Sequence, residues 1–188
     1  MFRIRFCLFL LASIAIGPGG AGRSRASLLR AMSLGELTHS ADRIVVGTVL
    51  SVDASWDVQH RRILSTIEVN VEENWKGLTA ASQRITIVKP GGSVGEFEMT
   101  VHGMPAFSAG ERAVLFLQGQ RRFQVVGMGQ GKRTLSWDGA SNRWLAESPD
   151  TEGVVEVGPG ASLRQVKRIR PVSLSDLHAQ VLRIIENP

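Results

Sequence analysis

Two consecutive stretches decide the fold: Arg43-Ile-Val-Val-Gly-Thr-Val-Leu-Ser-Val-Asp-Ala-Ser-Trp56 and Arg62-Ile-Leu-Ser-Thr-Ile-Glu-Val-Asn-Val-Glu-Glu-Asn-Trp75. In the second, apolar and polar residues alternate from Ile67 to Glu72, which is the period-two pattern of a half-buried strand. The polar segment 57–61 separates the two stretches, so together they predict a long β-hairpin. Such a hairpin twists, and it buries its apolar face only by packing against further strands.

Further strand patterns follow along the chain. The segments with strand-like patterns are 83–89, 96–101 (as a possible edge strand), 111–117, 123–127, 134–137 and 142–145. The run 111–117 is almost continuously apolar, which predicts a central strand buried on both faces. Asp138-Gly139 lies between the last two segments and predicts a hairpin turn there.

Helix signals occur only near the two ends of the chain. Ser33-Leu-Gly-Glu36 fits a capping box and predicts a short helix from about Leu34 to Ala41. Ser173-Leu-Ser-Asp176 begins a second helix with apolar residues at helical spacing. The sequence therefore predicts an all-β fold, a small closed or partly open OB-like barrel with an appended hairpin and two terminal helices. Gly47 predicts a bulge inside the first strand.

The first 26 residues have the pattern of a secretory signal peptide. A basic start, Met1–Arg5, precedes an apolar run, Phe6–Ile16, and a segment of small residues that ends at Gly22. Cleavage near Gly22 and cleavage after Ala26 both fit. The predicted organisation is a signal peptide at 1–26, a barrel at 27–146, a polar linker at 147–172 and a helix packed on the barrel at 173–188. The mature protein is expected in the periplasm or outside the cell.

The charge and the cysteine content of the sequence limit which functions and which kinds of stabilisation are expected for the mature protein. Four of the 22 basic residues and none of the 17 acidic residues lie in segment 1–26, so the remaining chain is nearly neutral. A nucleic-acid-binding role, which a basic pI would otherwise suggest, is therefore not expected. Cys7 is the single cysteine and lies in the apolar run, so the mature domain must be stable without disulfides.

Two glycine-rich segments resemble known catalytic or phosphate-binding motifs. Gly91-Gly-Ser-Val-Gly95 matches a nucleophile elbow, but a strand-like segment follows it where the elbow requires a helix. Gly127-Met-Gly-Gln-Gly-Lys-Arg-Thr134 lacks the glycine and hydroxyl spacing of a phosphate loop and predicts a β-turn. Lys132 and Arg133 in this turn remain candidates for contact with an anionic partner. Catalysis by Ser93 is kept only as an alternative.

The histidines are spread along the chain as His39, His60, His102 and His178, without the local spacing of a metal site. No metal and no cofactor are expected. The four tryptophans, Trp56, Trp75, Trp137 and Trp144, fall at strand ends and in the second hairpin. They either cover the ends of the barrel or are exposed and bind a protein or glycan.

Several short motifs between residues 33 and 132 carry a resemblance. They are Ser40-Ala-Asp-Arg-Ile-Val-Val-Gly47, Thr66-Ile-Glu-Val-Asn-Val71, Trp75-Lys-Gly77, Pro90-Gly-Gly92, Gly110-Glu-Arg112 and Leu115-Phe-Leu117. Their arrangement resembles a group of uncharacterised exported bacterial proteins, which implies export but no activity. The leading strand is also similar to the OB-like barrels of netrin-type and metalloprotease-inhibitor domains. Those domains depend on an N-terminal cysteine and disulfides that this chain lacks.

The expected function is binding rather than catalysis. Apolar and aromatic residues in loops, without converging acid–base groups, predict a protein-interaction module with an unidentified protein partner. The candidate partner-binding residues are Trp56, Gly91, Gly92, Met104 and Pro105. The alternatives are a protein that associates with or inhibits a secreted protease, and a small serine hydrolase that uses Ser93.

Overall fold

The structure is a computed structural model that describes residues 30–77, 83–148, 155–157, 163–165 and 170–187. The helices in these ranges are α1 (Leu34–Ser40) and α2 (Leu174–Glu186). The strands are β1 (Arg43–Trp56), β2 (Ile63–Lys76), β3 (Arg84–Pro90), β4 (Gly92–Val94), β5 (Phe97–Met99), β6 (Arg112–Gly119), β7 (Arg122–Val125), β8 (Lys132–Asp138), β9 (Arg143–Glu147), β10 (Val155–Val157), β11 (Leu163–Gln165) and β12 (Val172–Ser173). The predicted signal peptide lies outside the described residues.

Five strands form a ring. Antiparallel pairs join β1 to β2, β2 to β3, β6 to β7 and β1 to β6. The parallel pair of β3 and β7 completes the ring, but only through Thr86 with Arg122 and Ile87 with Phe123. Because this last contact is short, the barrel does not close completely. The predicted all-β, OB-like barrel with two helices is therefore confirmed.

The strand β6 and the first part of β1, residues 44–47, are buried on both faces, because the barrel lies on one side and the helices on the other. Side chains such as Val45 and Leu115 fill the barrel interior. Ile44 and Phe116 belong to a second cluster, which also contains Leu37 of α1 and, from α2, residues that include Val181. This double burial explains the continuous apolar run in β6, since a strand exposed on one face would alternate.

The appended hairpin is formed by β8 and β9, and it extends the sheet beyond β6. Its turn contains Asp138-Gly139, as the sequence predicts. β12 adds to the outer edge of β9 and leads directly into α2, whose first turn is capped by the Ser173 hydroxyl. Within the segment predicted as a polar linker, β10 and β11 pair with each other.

The capping box of α1 and the bulge in β1, which the sequence predicts, are both present. The α1 capping box is complete: Ser33 Oγ accepts from the Glu36 amide, and the Glu36 carboxylate accepts from the Ser33 amide. The pairing of β1 with β2 shifts register between Val46 and Gly47, where the bulge was expected. A Cβ at Gly47 would lie 2.5 Å from the Asn70 carbonyl oxygen, so the chains approach too closely for a side chain.

The segment after β3 differs from the prediction. Gly92–Val94, within the segment that resembles a nucleophile elbow, forms β4 and pairs with β5 in a small separate hairpin. The cause is Gly91, whose φ of 95° bends the chain away from the line of β3. The possible edge strand 96–101 therefore pairs with β4 rather than with the main sheet.

Candidate functional site: a groove at the open seam of the barrel

The open seam between β3 and β7 forms a groove. Pairing of these strands ends at Ile87 and Phe123, while β3 continues to Pro90 and β7 to Val125. A cleft of about 570 Å³ occupies the region where the two strands separate. Ligand pockets in proteins usually measure about 300–1,000 Å³, so the seam groove has room for several side chains of a partner.

The lining of the seam groove is apolar with a few polar groups at its borders. Its apolar residues are Leu64, Val88, Pro90, Met104, Pro105, Val125 and Met128. Its longer polar side chains are Arg62, Lys89, Gln118 and Gln124. The described residues that line it include two cations and no carboxylate. An apolar ligand with a negative charge fits this lining best.

Lys89 is the exceptional residue of the seam groove. In the register with β2 it lies opposite Ser65, on the same side of β3 as Ile85 and Ile87, whose side chains are buried in the barrel. Burial lowers the pKa of the Lys89 ammonium. In the described part of the chain this ammonium has no ion-pair or hydrogen-bond partner. A partly buried, uncompensated cation is costly for the free protein, and a bound carboxylate would balance it.

Arg62 is already balanced within the protein. Its Nε lies 3.1 Å from Asp57 Oδ2. The pKa of Asp57 is lowered, chiefly because its carboxylate accepts a hydrogen bond from the backbone amide of Arg61. These contacts hold the β1–β2 turn in place beside the groove. Of the two cations that line the groove, Lys89 is therefore the one without a carboxylate partner in the described residues.

Two of the residues predicted from the sequence line the seam groove. Met104 and Pro105 form part of its wall, and Pro105 is buried. The backbone of Gly129 fixes this loop by donating to the Gly103 carbonyl at 2.7 Å. The sequence predicted these positions as partner contacts, and the structure places them beside Lys89, which the sequence reading did not single out.

The two predicted glycines have a structural role next to the groove. The Gly91 amide donates to the Ile63 carbonyl at 2.9 Å, and its own carbonyl accepts from Ser65 Oγ at 2.5 Å. A Cβ at Gly92 would lie 2.6 Å from Ser65 Oγ and 2.9 Å from Ala54 Cβ. Because these glycines lack side chains, the chain can pack closely against β1 and β2 as it leaves β3. Gly91 is buried.

Trp56 lies apart from the groove lining, at the tip of the β1–β2 hairpin. Its ring packs edge-on against Phe97 of β5 at a centroid distance of 5.6 Å and stacks near His60. Phe97 is 64% exposed and Val58 is 94% exposed. The structure thus joins Trp56 to a small apolar tip formed by two hairpins, which the sequence did not predict as a unit.

The motif-like segments are engaged in ordinary packing. Ser93 lies in β4 opposite Glu98, so the strand-to-helix turn of a nucleophile elbow is not formed at this serine. Lys132 is buried, with Nζ 2.5 Å from Glu111 Oε1. Arg133 donates to the Gln130 carbonyl at 2.6 Å, and burial lowers its pKa to about 10. Both cations of the former phosphate-loop candidate therefore interact within the protein.

The described residues contain no group of three or more His, Cys, Asp or Glu side chains that would hold a metal ion. Among those same residues no helix has the length and apolar character needed to cross a membrane.

Neither a protein-family model nor a curated protein matches the sequence of this chain.

Proposed function

We propose that this protein is an exported, non-enzymatic interaction module that binds an extended peptide in the seam groove. The observation that carries the proposal is the position of Lys89, on the inner face of β3 and without a partner in the described residues. The ligand is a peptide segment that combines apolar side chains with a carboxylate.

The shape of the seam supports an extended ligand. β3 and β7 run parallel and diverge after their second residue pair, so each presents an edge to the groove. Exposed strand edges bind extended peptides through main-chain hydrogen bonds, and neighbouring pockets take alternate side chains. Leu64, Val88 and Met104 provide apolar surface for those side chains.

The charge of the lining supports a carboxylate on the ligand. Arg62 is paired with Asp57, and Gln118 and Gln124 lie side by side in the register of β6 and β7. A carboxylate placed at Lys89 gains a charge-assisted hydrogen bond in a partly desolvated site. Such a bond orients the peptide, while apolar contacts contribute most of the affinity.

The test is a selection of peptides displayed on phage against the purified protein, in one library with free C-termini and one with internal segments. We expect enriched sequences that combine apolar residues with an acidic residue or a terminal carboxylate. Lys89→Gln should weaken the best peptide at least about tenfold, as expected for loss of one charge-assisted contact.

Arg84→Gln is the matched control, because Arg84 lies at the other end of β3, is exposed and does not line the groove. Its affinity for the same peptide should equal that of the unchanged protein. Equal loss in both variants would show non-specific charge attraction, and unchanged affinity in Lys89→Gln would refute this site. Turnover of ester or peptide substrates that disappears in Ser93→Ala would instead identify a hydrolase.

A further inference from the structure

A second cleft lies on the opposite part of the fold, where the β8–β9 hairpin meets the end of β2 and the start of α2. Its volume is about 390 Å³, and three of the four tryptophans line it together with polar side chains. We call it the tryptophan cleft; it is lined by Glu73, Trp75, Trp137, Asn142, Arg143, Trp144, Leu174, Ser175 and His178. We propose that it binds a neutral β-1,4-linked oligosaccharide, with Trp137 as the stacking platform.

The three indoles differ in what covers them. Trp75 is 7% exposed, and the His178 ring stacks on it at 4.4 Å. Trp144 is partly buried and carries the guanidinium of Arg112 over its ring at 4.7 Å. Trp137 is 52% exposed and contacts Trp144 edge-on at 5.4 Å. Trp75 and Trp144 are thus fixed by packing, and Trp144 holds Trp137 at the surface.

An indole held in this way is suited to a sugar ring. Its large apolar face is available at small entropic cost, because the side chain has few rotatable bonds and is already held by its neighbour. Equatorially linked β-1,4 pyranoses present flat C–H faces that match an open aromatic surface. The tryptophan cleft is shallow and lies at the surface, which suits a chain of sugars better than a buried monomer.

The polar groups of the cleft select for an uncharged ligand with many hydroxyls. Glu73 accepts a hydrogen bond from Trp75 Nε1 at 3.0 Å, and its side chain remains 45% exposed. Arg143 provides donors beside the amide of Asn142. One carboxylate and one guanidinium disfavour a net charge of either sign, but together they bind vicinal hydroxyl groups as acceptor and donor.

The test is calorimetric titration of the purified protein with cellohexaose and with chitohexaose, with maltohexaose as the α-linked comparison. We expect binding of at least one β-1,4-linked hexasaccharide and at least tenfold weaker binding of maltohexaose. Trp137→Ala should weaken binding of that ligand at least tenfold, and Trp137→Phe should restore part of the affinity.

Phe97→Ala is the matched control, because Phe97 is an exposed aromatic residue that does not line the cleft. It should bind the oligosaccharide with unchanged affinity. Glu73→Gln, which retains the size of the side chain, should bind several-fold more weakly. Absence of binding to both β-linked ligands, or equal affinity in Trp137→Ala, would overturn the proposal. Neither result depends on the peptide site at the barrel seam.

Discussion

The seam groove and the tryptophan cleft arise from opposite features of one barrel. The groove lies where strand pairing stops, since β3 and β7 separate after two residue pairs. The cleft lies where structure is added, since β8, β9 and α2 extend the sheet and pack beside it. The groove contains an uncompensated lysine, whereas the cleft contains balanced charges and aromatic rings.

This difference shows how local charge can indicate ligand chemistry when no motif is present. In the described part of the chain, Lys89 has no partner, and this partly buried cation is the reason why we propose a ligand with the opposite charge. In the cleft, Glu73 already accepts a hydrogen bond from Trp75 and Arg143 already donates one to Ser141, so a charged ligand would gain little there.

The largest expected effect on stability comes from Phe116→Ala, because Phe116 belongs to the core cluster on the helix side of the barrel. Phe116 is fully buried in the cluster beneath the helices, which also includes Trp75 on the cleft side. Truncation should lower the free energy of unfolding by about 3–5 kcal/mol. Chemical denaturation followed by circular dichroism measures this change.

Hydrogen exchange of the same variant sharpens the comparison. Amides of α2 should lose protection before those of β2 and β3 if the helix side opens separately. Uniform loss of protection would show that cleft and groove belong to one cooperative unit.

Gly47→Ala should affect both regions equally, since β1 is shared by the two core clusters. The added Cβ would meet the Asn70 carbonyl oxygen at 2.5 Å and Val69 Cγ1 at 2.7 Å. The backbone contact cannot be relieved by a rotamer change, so we expect destabilisation of about 1–3 kcal/mol. Gly139→Ala is the control in thermal melts, because a Cβ at that turn meets nothing within 4 Å. Equal melting temperatures for both variants would contradict the close approach at the bulge.

Lys89→Met should separate stability from binding at the groove. Removing an unpaired, partly buried ammonium from the inner row of β3 should leave the free protein equally stable or raise its stability by up to about 1 kcal/mol. Peptide affinity should fall at the same time. The denaturant concentration at the midpoint of unfolding, measured without peptide, compares the stability of Lys89→Met with that of the unchanged protein. A clear loss of stability would assign Lys89 a structural role instead.

The smallest expected effect is the contribution of Glu72 to the loss of stability at acid pH. Burial disfavours the charged form of Glu72, but hydrogen bonds from Thr48 and Arg112 outweigh this, so its pKa lies below the ordinary value of 4.5. The lower folded-state pKa contributes stability above about pH 4.5, and this contribution is lost as the pH falls through the folded pKa. Thermal melts at pH 6 and pH 3 should show a smaller decrease for Glu72→Gln than for the unchanged protein. Equal decreases would mean that Asp57 and the other stabilised carboxylates account for the whole dependence.

Much of the fold could be predicted because its signals are local. The alternation around Ile67, the continuous apolar run of β6 and the two serine caps each depend on neighbouring residues. Residue types at fixed spacing determine which face of a strand or helix is apolar, and burial follows from that pattern. The hairpin at Asp138-Gly139 was predictable for the same reason.

The candidate sites were harder to predict because they depend on contacts between distant segments. Met104 and Pro105 were identified as loop residues, but their position beside Lys89 requires the fold. A signal for Lys89 was present, since it continues the inward alternation of Ile85 and Ile87. Whether a ligand can reach Lys89 depends on the open seam, because a β7 paired along the whole of β3 would cover this position.

The sequence by itself determined the strands, the caps, the bulge at Gly47 and the pairing of the first hairpin, since each follows from short-range geometry and from the need to bury apolar side chains. Tertiary structure alone decided where the ring stays open and which tryptophan remains exposed. Those outcomes depend on how far β3 and β7 run together, on the edge-on contact of Trp144 with Trp137, and on the packing of Arg112 over Trp144. No pattern within one segment encodes a distance between two others, and both proposed binding sites depend on such distances.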